Sequence, residues 1–157
     1  MADEMADASG RETLLAAARE AALHAYAPYS GFRVGAAVAV ETLAGRRVVT
    51  GANVENASYG LTLCAERAAL AAARLLAEAS ESGGAGRRTP KPLRITHIAI
   101  ACLDVDPAAP AARRSPCGAC RQWLAELAPD AIYFVDGIPT DLRLDDLLPY
   151  AFRLDED

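Results

Sequence analysis

Three cysteines and one glutamate constrain this chain more than any other feature. Cys117 and Cys120 stand in Pro116-Cys117-Gly118-Ala119-Cys120-Arg121, and Cys64 stands far upstream in Cys64-Ala65-Glu66-Arg67. Cys-x-x-Cys is a metal-ligand spacing, because residues three apart share one face in the first turn of a helix. Gly118 lets that turn tighten around an ion. Alone, the pair reads as readily as a redox dithiol or two buried cysteines. Cys64 adds a third thiolate and leaves a fourth position open, the ligand count of a catalytic zinc rather than a closed structural one. Any fold of this chain must therefore bring two distant segments to one point. Cys64 and Glu66 are two apart and cannot share a helix face. Cys64 is thus expected at a helix entrance, turned back to the metal, with Glu66 projecting from the first turn into a pocket.

Composition narrows what such a site serves. The 157 residues carry a net charge of −5, with 52% hydrophobic and 24% charged residues, as in one globular domain. Holding long nucleic acid calls for a basic surface, which this chain lacks, so a small-molecule substrate is expected and nucleic acid is not. Three of the four cysteines sit at metal spacing, which points to reduced thiols and a cytoplasmic setting. Residues 1–10 have neither the basic nor the apolar segment of a signal peptide. No apolar run reaches the length of a membrane span.

Periodicity supplies the elements. Residues 1–11 read as a disordered leader, residues 12–152 as the folded domain and residues 153–157 as a tail. Leu15, Ala18, Ala22 and Ala25 recur at helical spacing and predict a helix over 12–26, stopped by Pro28. Residues 34–40 and 48–54 predict a hairpin, 95–102 a strand apolar on both faces, and 131–135 a fourth strand. Helices are predicted over 64–79 and 117–127, with a helical turn at 144–148. Residues 81–92 and 104–115 read as solvated linkers, within which Arg87, Arg88, Arg113 and Arg114 are the groups that could meet a phosphate. Strands alternating with helices predict an α/β sandwich, and the hairpin makes its sheet mixed. The place of residues 139–144 does not follow from the pattern.

Four motifs occur in order: Tyr26-Ala-Pro-Tyr-Ser-Gly-Phe-Arg-Val-Gly-Ala-Ala37, Asn53-Val-Glu-Asn56, Cys64-Ala-Glu-Arg67 and Pro116-Cys-Gly-Ala-Cys-Arg-Gln122. Together they resemble the small, three-cysteine cytidine deaminases of the homotetrameric type, over nearly the whole chain. The resemblance implies a three-layer α/β/α sandwich with a five-stranded mixed sheet and one Zn²⁺ per subunit on Cys64, Cys117 and Cys120. It also implies hydrolytic deamination of cytidine and 2′-deoxycytidine in pyrimidine salvage. Glu66 would take the proton of a zinc-bound water; the hydroxide would attack C4 while Glu66 protonates N3 and then assists loss of ammonia. Without the cysteines, Glu66 would read as a helix-start carboxylate complementing the dipole.

Further roles follow the same way. Three thiolates leave the zinc site at −1, and two helix N-termini, with Arg67 and Arg121 donating to sulfur, are expected to offset it. Asn53 and Glu55, two apart at a strand end, point the same way and suit a sugar hydroxyl; the resemblance makes this the ribose. By resemblance Phe32 packs against the base, Ala65 offers backbone groups to the pyrimidine edge, and Tyr59 lines the pocket or a subunit contact. Phe152 is expected to reach a neighbouring subunit's site. Cys102 reads as a buried free thiol. The Ala-rich helix after Cys64 suits either packing on the sheet or a helix-lined oligomer centre. Alternatives of other classes are a deaminase of a nucleotide or of an antibiotic of the blasticidin S type, a nucleic-acid editor, and a structural zinc module.

Overall fold

The computed structural model describes residues 2–42, 44–76, 93–106 and 108–154. Its frame is a four-stranded sheet in the order β2-β1-β3-β4, built from β1 (Val34–Thr42), β2 (Gly45–Ala52), β3 (Arg94–Cys102) and β4 (Ile132–Val135). β1 pairs antiparallel with both β2 and β3, and β3 pairs parallel with β4. α1 (Ala2–Ala22) covers one face; α2 (Ala65–Arg74), α3 (Gly118–Leu127) and the single turn α4 (Leu144–Leu147) lie with the other.

The two faces are written into alternate residues of the central strand, since successive side chains leave a strand on opposite sides. Ala37 and Ala39 meet Leu14, Leu15 and Ala18 of α1, joined by Ala99, Ala101 and Phe134. Ala36, Val38 and Val40 meet Ala65, Ala69 and Leu70 of α2, together with Ile98, Ile100, Leu124 and Tyr133. Each fully buried leucine, such as Leu70 or Leu124, contributes on the order of 2 kcal/mol. Small residues set how near the helices come. A Cβ at Gly35 would stand 2.0 Å from the carbonyl oxygen of Ala18, and one at Gly51 would stand 2.5 Å from the amide nitrogen of Ala69. Helices α1 and α2 therefore rest on bare backbone. Within the chain, the alanines of α2 serve this packing: Ala65, Ala69 and Ala73 are buried.

Several boundaries differ from the sequence reading, each for a local reason. The helical backbone of α1 begins at Ala2, where a disordered leader was expected over 1–11. Alanines favour the helix, acidic residues suit its N-terminus, and no proline interrupts the segment. Its other end falls short of residue 26. Tyr26 leaves the helix to bridge Val54, donating its N–H to Asn53 O at 2.9 Å and accepting from Glu55 N at 2.8 Å. β2 stops at Ala52, so Asn53 and Glu55 lie just past the strand end. The sheet has four described strands rather than five. Where a fifth would run, Leu142 alone pairs with Tyr133, through N–H to O bonds of 3.0 and 2.9 Å. The ladder does not extend from there, because the N–H of Ile138 takes the carbonyl of Val135 at 2.9 Å and turns the chain. The expected linker 81–92, and the end of the helix predicted to residue 79, lie outside the described residues.

Substituting Gly51→Ala is expected to cost about 3 kcal/mol, because backbone and not a flexible side chain stands in the way. For a chain of this size that lowers the unfolding midpoint by roughly 10 °C, which differential scanning calorimetry reads directly.

Candidate active site

Two helix starts converge on one point. Cys64 is the N-cap of α2 and Cys117 the N-cap of α3, both with extended backbone, and Cys120 sits in the first turn of α3. Sγ of Cys64 lies 3.9 Å from Sγ of Cys117, and all three sulfurs lie within 4.8 Å of one another. Tetrahedral zinc with Zn–S bonds of about 2.3 Å puts its sulfurs about 3.8 Å apart. The donor set therefore fits zinc, one ion per chain, and it is the one such cluster among the described residues. The hydrogen bond from Cys120, and then the guanidinium of Arg67, bring the Cys64 thiol down to about 5. That same bond, and burial, push Cys120 up. A thiol lowered at a helix N-terminus is a ready metal ligand.

The two arginines differ. Arg67 donates from Nη2 to Thr62 O at 2.8 Å and to Sγ of Cys64 at 3.6 Å. Arg121 was expected to do the same for sulfur. Instead its Nε donates to Pro116 O at 2.8 Å and its Nη1 to Leu147 O at 2.6 Å. It fixes the loop that enters α3 and ties it to α4.

Glu66, the second residue of α2, is 4% exposed and faces a cavity of about 250 Å³. Burial raises its carboxyl above the usual range. Cys64 turns to the cluster and Glu66 to the cavity, as a two-residue step at a helix start demands. The cavity wall also contains Phe32, Asn53, Glu55, Ala65, Cys64 and Cys117. Asn53 is buried and straps the strand entry: its Oδ1 accepts Val34 N at 2.8 Å and its Nδ2 donates to Phe32 O at 2.9 Å. Glu55 accepts the N–H of Tyr29 at 2.9 Å and the hydroxyl of Ser30, and these bonds, Ser30's first, hold its carboxyl below the usual range.

Two expected residues lie elsewhere in the single chain. Tyr59 is 75% exposed and lines a neighbouring hollow with Tyr29 and Asn56, its ring edge-on to Tyr29 at 6.2 Å. Phe152 is 69% exposed, and its carbonyl accepts from Nε2 of Gln122 at 2.9 Å.

The segment 104–115 is more than a solvated linker. Arg114 is buried, donates to Asp106 O at 2.6 Å and Ala109 O at 3.2 Å, and packs on Gly137. Arg113, beside it, is exposed at the cavity wall. Ser30, Thr62 and Cys102 also line the cavity without having been singled out for it. Alternation along β3 puts Cys102 on the face of Ile98 and Ile100, which is the signal that would have placed it there. Its thiol is half-buried, outside the sulfur cluster, and pushed up to about 11 by burial. Just before β1, Arg33 grips Asp104, just after β3, through Nη2 at 2.7 Å, Nε at 3.0 Å and its own N–H at 2.8 Å.

Comparison with known proteins finds relatives over most of the chain. Residues 8–136 match the family described as "Cytidine and deoxycytidylate deaminase zinc-binding region". The cytidine deaminase of Mycobacterium tuberculosis is 44% identical over 139 residues, 88% of this chain and 86% of its own. That of Halalkalibacterium halodurans is 39% identical over 150 residues, 93% of this chain and 96% of its own. The crystal structure of the cytidine deaminase from Burkholderia pseudomallei superposes with a TM-score of 0.67 at 38% identity, covering 90% of this chain and 98% of that one.

Two outcomes are expected. Cys117→Ala should lose its zinc by elemental analysis while the helical circular dichroism remains, since the cluster caps the helices but does not form the core. The Arg33–Asp104 clasp should show in pH-dependent stability. Asp104 is held from its ordinary 3.8 down to about 2 by hydrogen bonds from Arg33. A depressed carboxyl stabilises the fold above its unfolded pKa and loses that contribution as pH falls through its folded one. The gap in unfolding midpoint between wild type and Asp104→Asn should thus be full above about pH 4 and closed near pH 2.

Proposed function

The chain belongs to the zinc-binding cytidine and deoxycytidylate deaminase family, and from that premise we propose that it hydrolyses cytidine and 2′-deoxycytidine to uridine and 2′-deoxyuridine, releasing ammonia. One observation carries this reading: a buried carboxyl, Glu66, stands between three converging thiolates and a cavity whose wall bears Phe32, Asn53 and Glu55. Zinc held by Cys64, Cys117 and Cys120 supplies Lewis acidity that makes water nucleophilic near neutral pH.

The chain's own residues do the rest. Glu66 takes a proton from the water that adds at C4, delivers it to N3, and carries a second to the departing amino group. A carboxyl raised by burial holds and yields a proton more evenly than an exposed one. Phe32 flanks the base, and Ala65 meets the pyrimidine edge through its backbone. Asn53 holds Phe32 in place and keeps an N–H for the sugar. Glu55, kept ionised by its hydrogen bonds, accepts from a sugar hydroxyl. Arg67 offsets charge on Cys64, and Arg121 holds the loop that positions Cys117.

The working form in this reading is a cytoplasmic homotetramer serving pyrimidine salvage. Exposed apolar side chains support association: Tyr26, Tyr29, Val54, Tyr59, Leu61 and Leu63 lie on or near the segment that lines the cavity, and Trp123, Tyr150 and Phe152 lie on or near α3. Tyr59 and Phe152, remote from Glu66 in one chain, are free to meet a neighbour's cavity. No helix among the described residues is long and apolar enough to cross a membrane.

The test follows loss of cytidine absorbance by zinc-loaded protein, with 2′-deoxycytidine, CMP and blasticidin S in parallel. Turnover of the two nucleosides and little of the others is expected. No nucleoside turnover would overturn the reading in favour of a phosphorylated or antibiotic substrate. Glu66→Gln should keep its zinc and lose roughly 10²- to 10⁴-fold in kcat, the range for a positioned acid–base group.

A further inference from the structure

Two hydrogen bonds meet on the hydroxyl of Ser30. It donates to Oε1 of Glu55 and accepts the N–H of Phe32 at 3.0 Å. The other carboxylate oxygen of Glu55, Oε2, accepts the N–H groups of Tyr29 at 2.9 Å and Ser30 at 3.2 Å. An ionised carboxylate has about four acceptor directions, two on each oxygen. Oε2 has filled both of its directions, and Oε1 has filled one. A single acceptor direction therefore remains, on the oxygen that Ser30 touches. Ser30 itself is exposed and adds nothing to the apolar core. It lines both the Glu66 cavity and the neighbouring hollow, so it stands on the partition between them.

Resting on the nucleoside reading above, we infer that Ser30 is a positioning residue for substrate specificity, which leaves Glu55 one open acceptor for one sugar hydroxyl and ties that acceptor to the backbone of Phe32. Sugar and base recognition are then set by the same small side chain. A carboxylate with one open direction reads one hydroxyl and ignores the next. If both cytidine and 2′-deoxycytidine are substrates, the hydroxyl read is one they share, at the 3′ or the 5′ carbon. Removing the Ser30 hydroxyl opens a second direction on Oε1, releases the Phe32 N–H, and lets the carboxylate turn away from its bearing.

The test compares zinc-loaded wild type, Ser30→Ala and Ser30→Thr on cytidine, 2′-deoxycytidine, 3′-deoxycytidine and 5′-deoxycytidine. Ser30→Ala is expected to raise KM for the first two about tenfold, the size of one hydrogen bond to a charged group, with kcat little changed. The analogue that lacks the hydroxyl read by Glu55 should already be a poor substrate for wild type, and Ser30→Ala should add a clearly smaller penalty on it than on cytidine, since the contact through Glu55 is already lost and only the tie to Phe32 remains. Ser30→Thr keeps the hydroxyl and should restore KM. An equal rise in KM on all four substrates, or a fall in kcat shared by Ser30→Thr, would overturn the inference and leave Ser30 as a builder of the turn. Failure of zinc-loaded wild type on all four would instead overturn the nucleoside reading, and the inference with it, without reference to any variant.

Discussion

Three sulfurs held within 4.8 Å of one another are the constraint on which the rest of this structure depends. Ionised together they repel, and no apolar core would gather them unaided. The fold answers with partial positive charge at two helix starts and a guanidinium beside Cys64. The ion adds the remaining charge. The same requirement dictates topology. α2 follows the β1–β2 hairpin and α3 follows β3, yet both must begin at one place on the same face of the sheet. The antiparallel side of the sheet delivers the first and the parallel β3-α3-β4 crossover delivers the second.

Placement of that point to a fraction of an ångström rests on missing side chains. At Gly51 the backbone of α2 lies directly on β2, so the helix that carries Cys64 and Glu66 has one seat. β2 then ends, and Asn53 straps Phe32 and Val34 with both ends of its amide. The wall that carries Glu66 and the wall that carries Phe32 are thus two consequences of one strand. Apolar packing fixes the first wall and polar strapping fixes the second. Core glycines and alanines fill no space, yet they decide where the chemistry sits.

Most of the site was legible in the sequence because its logic is local. A two-residue step from Cys64 to Glu66 and a three-residue step from Cys117 to Cys120 have few geometric solutions at helix starts. The short apolar run of residues 34–40 announced a strand in the same local way, while its two faces were told apart only by the helices that cover them. What escaped was decided by distant partners. Arg121 sits next to a ligand in sequence, but the carbonyls of Pro116 and Leu147 claim its guanidinium. Arg114 looked like linker, and only folding brings Gly137 beneath it. Tyr26 carries a helical pattern and is drawn out of the helix by Val54, a partner on the other side of the sheet's entry. Residues 139–144 gave no period because a single bridge has none.

That single bridge also governs what the molecule avoids. β4 is an outer strand, and an outer strand offers unpaired N–H and C=O groups to any extended chain that passes. Here the exposed rim is interrupted in its middle: Leu142 occupies the groups of Tyr133, while Gly137 with its positive φ and Pro139 turn the following chain away. A stranger could pair with only a residue or two before meeting the obstruction. The unfinished fifth strand therefore works as a stopper against runaway sheet growth.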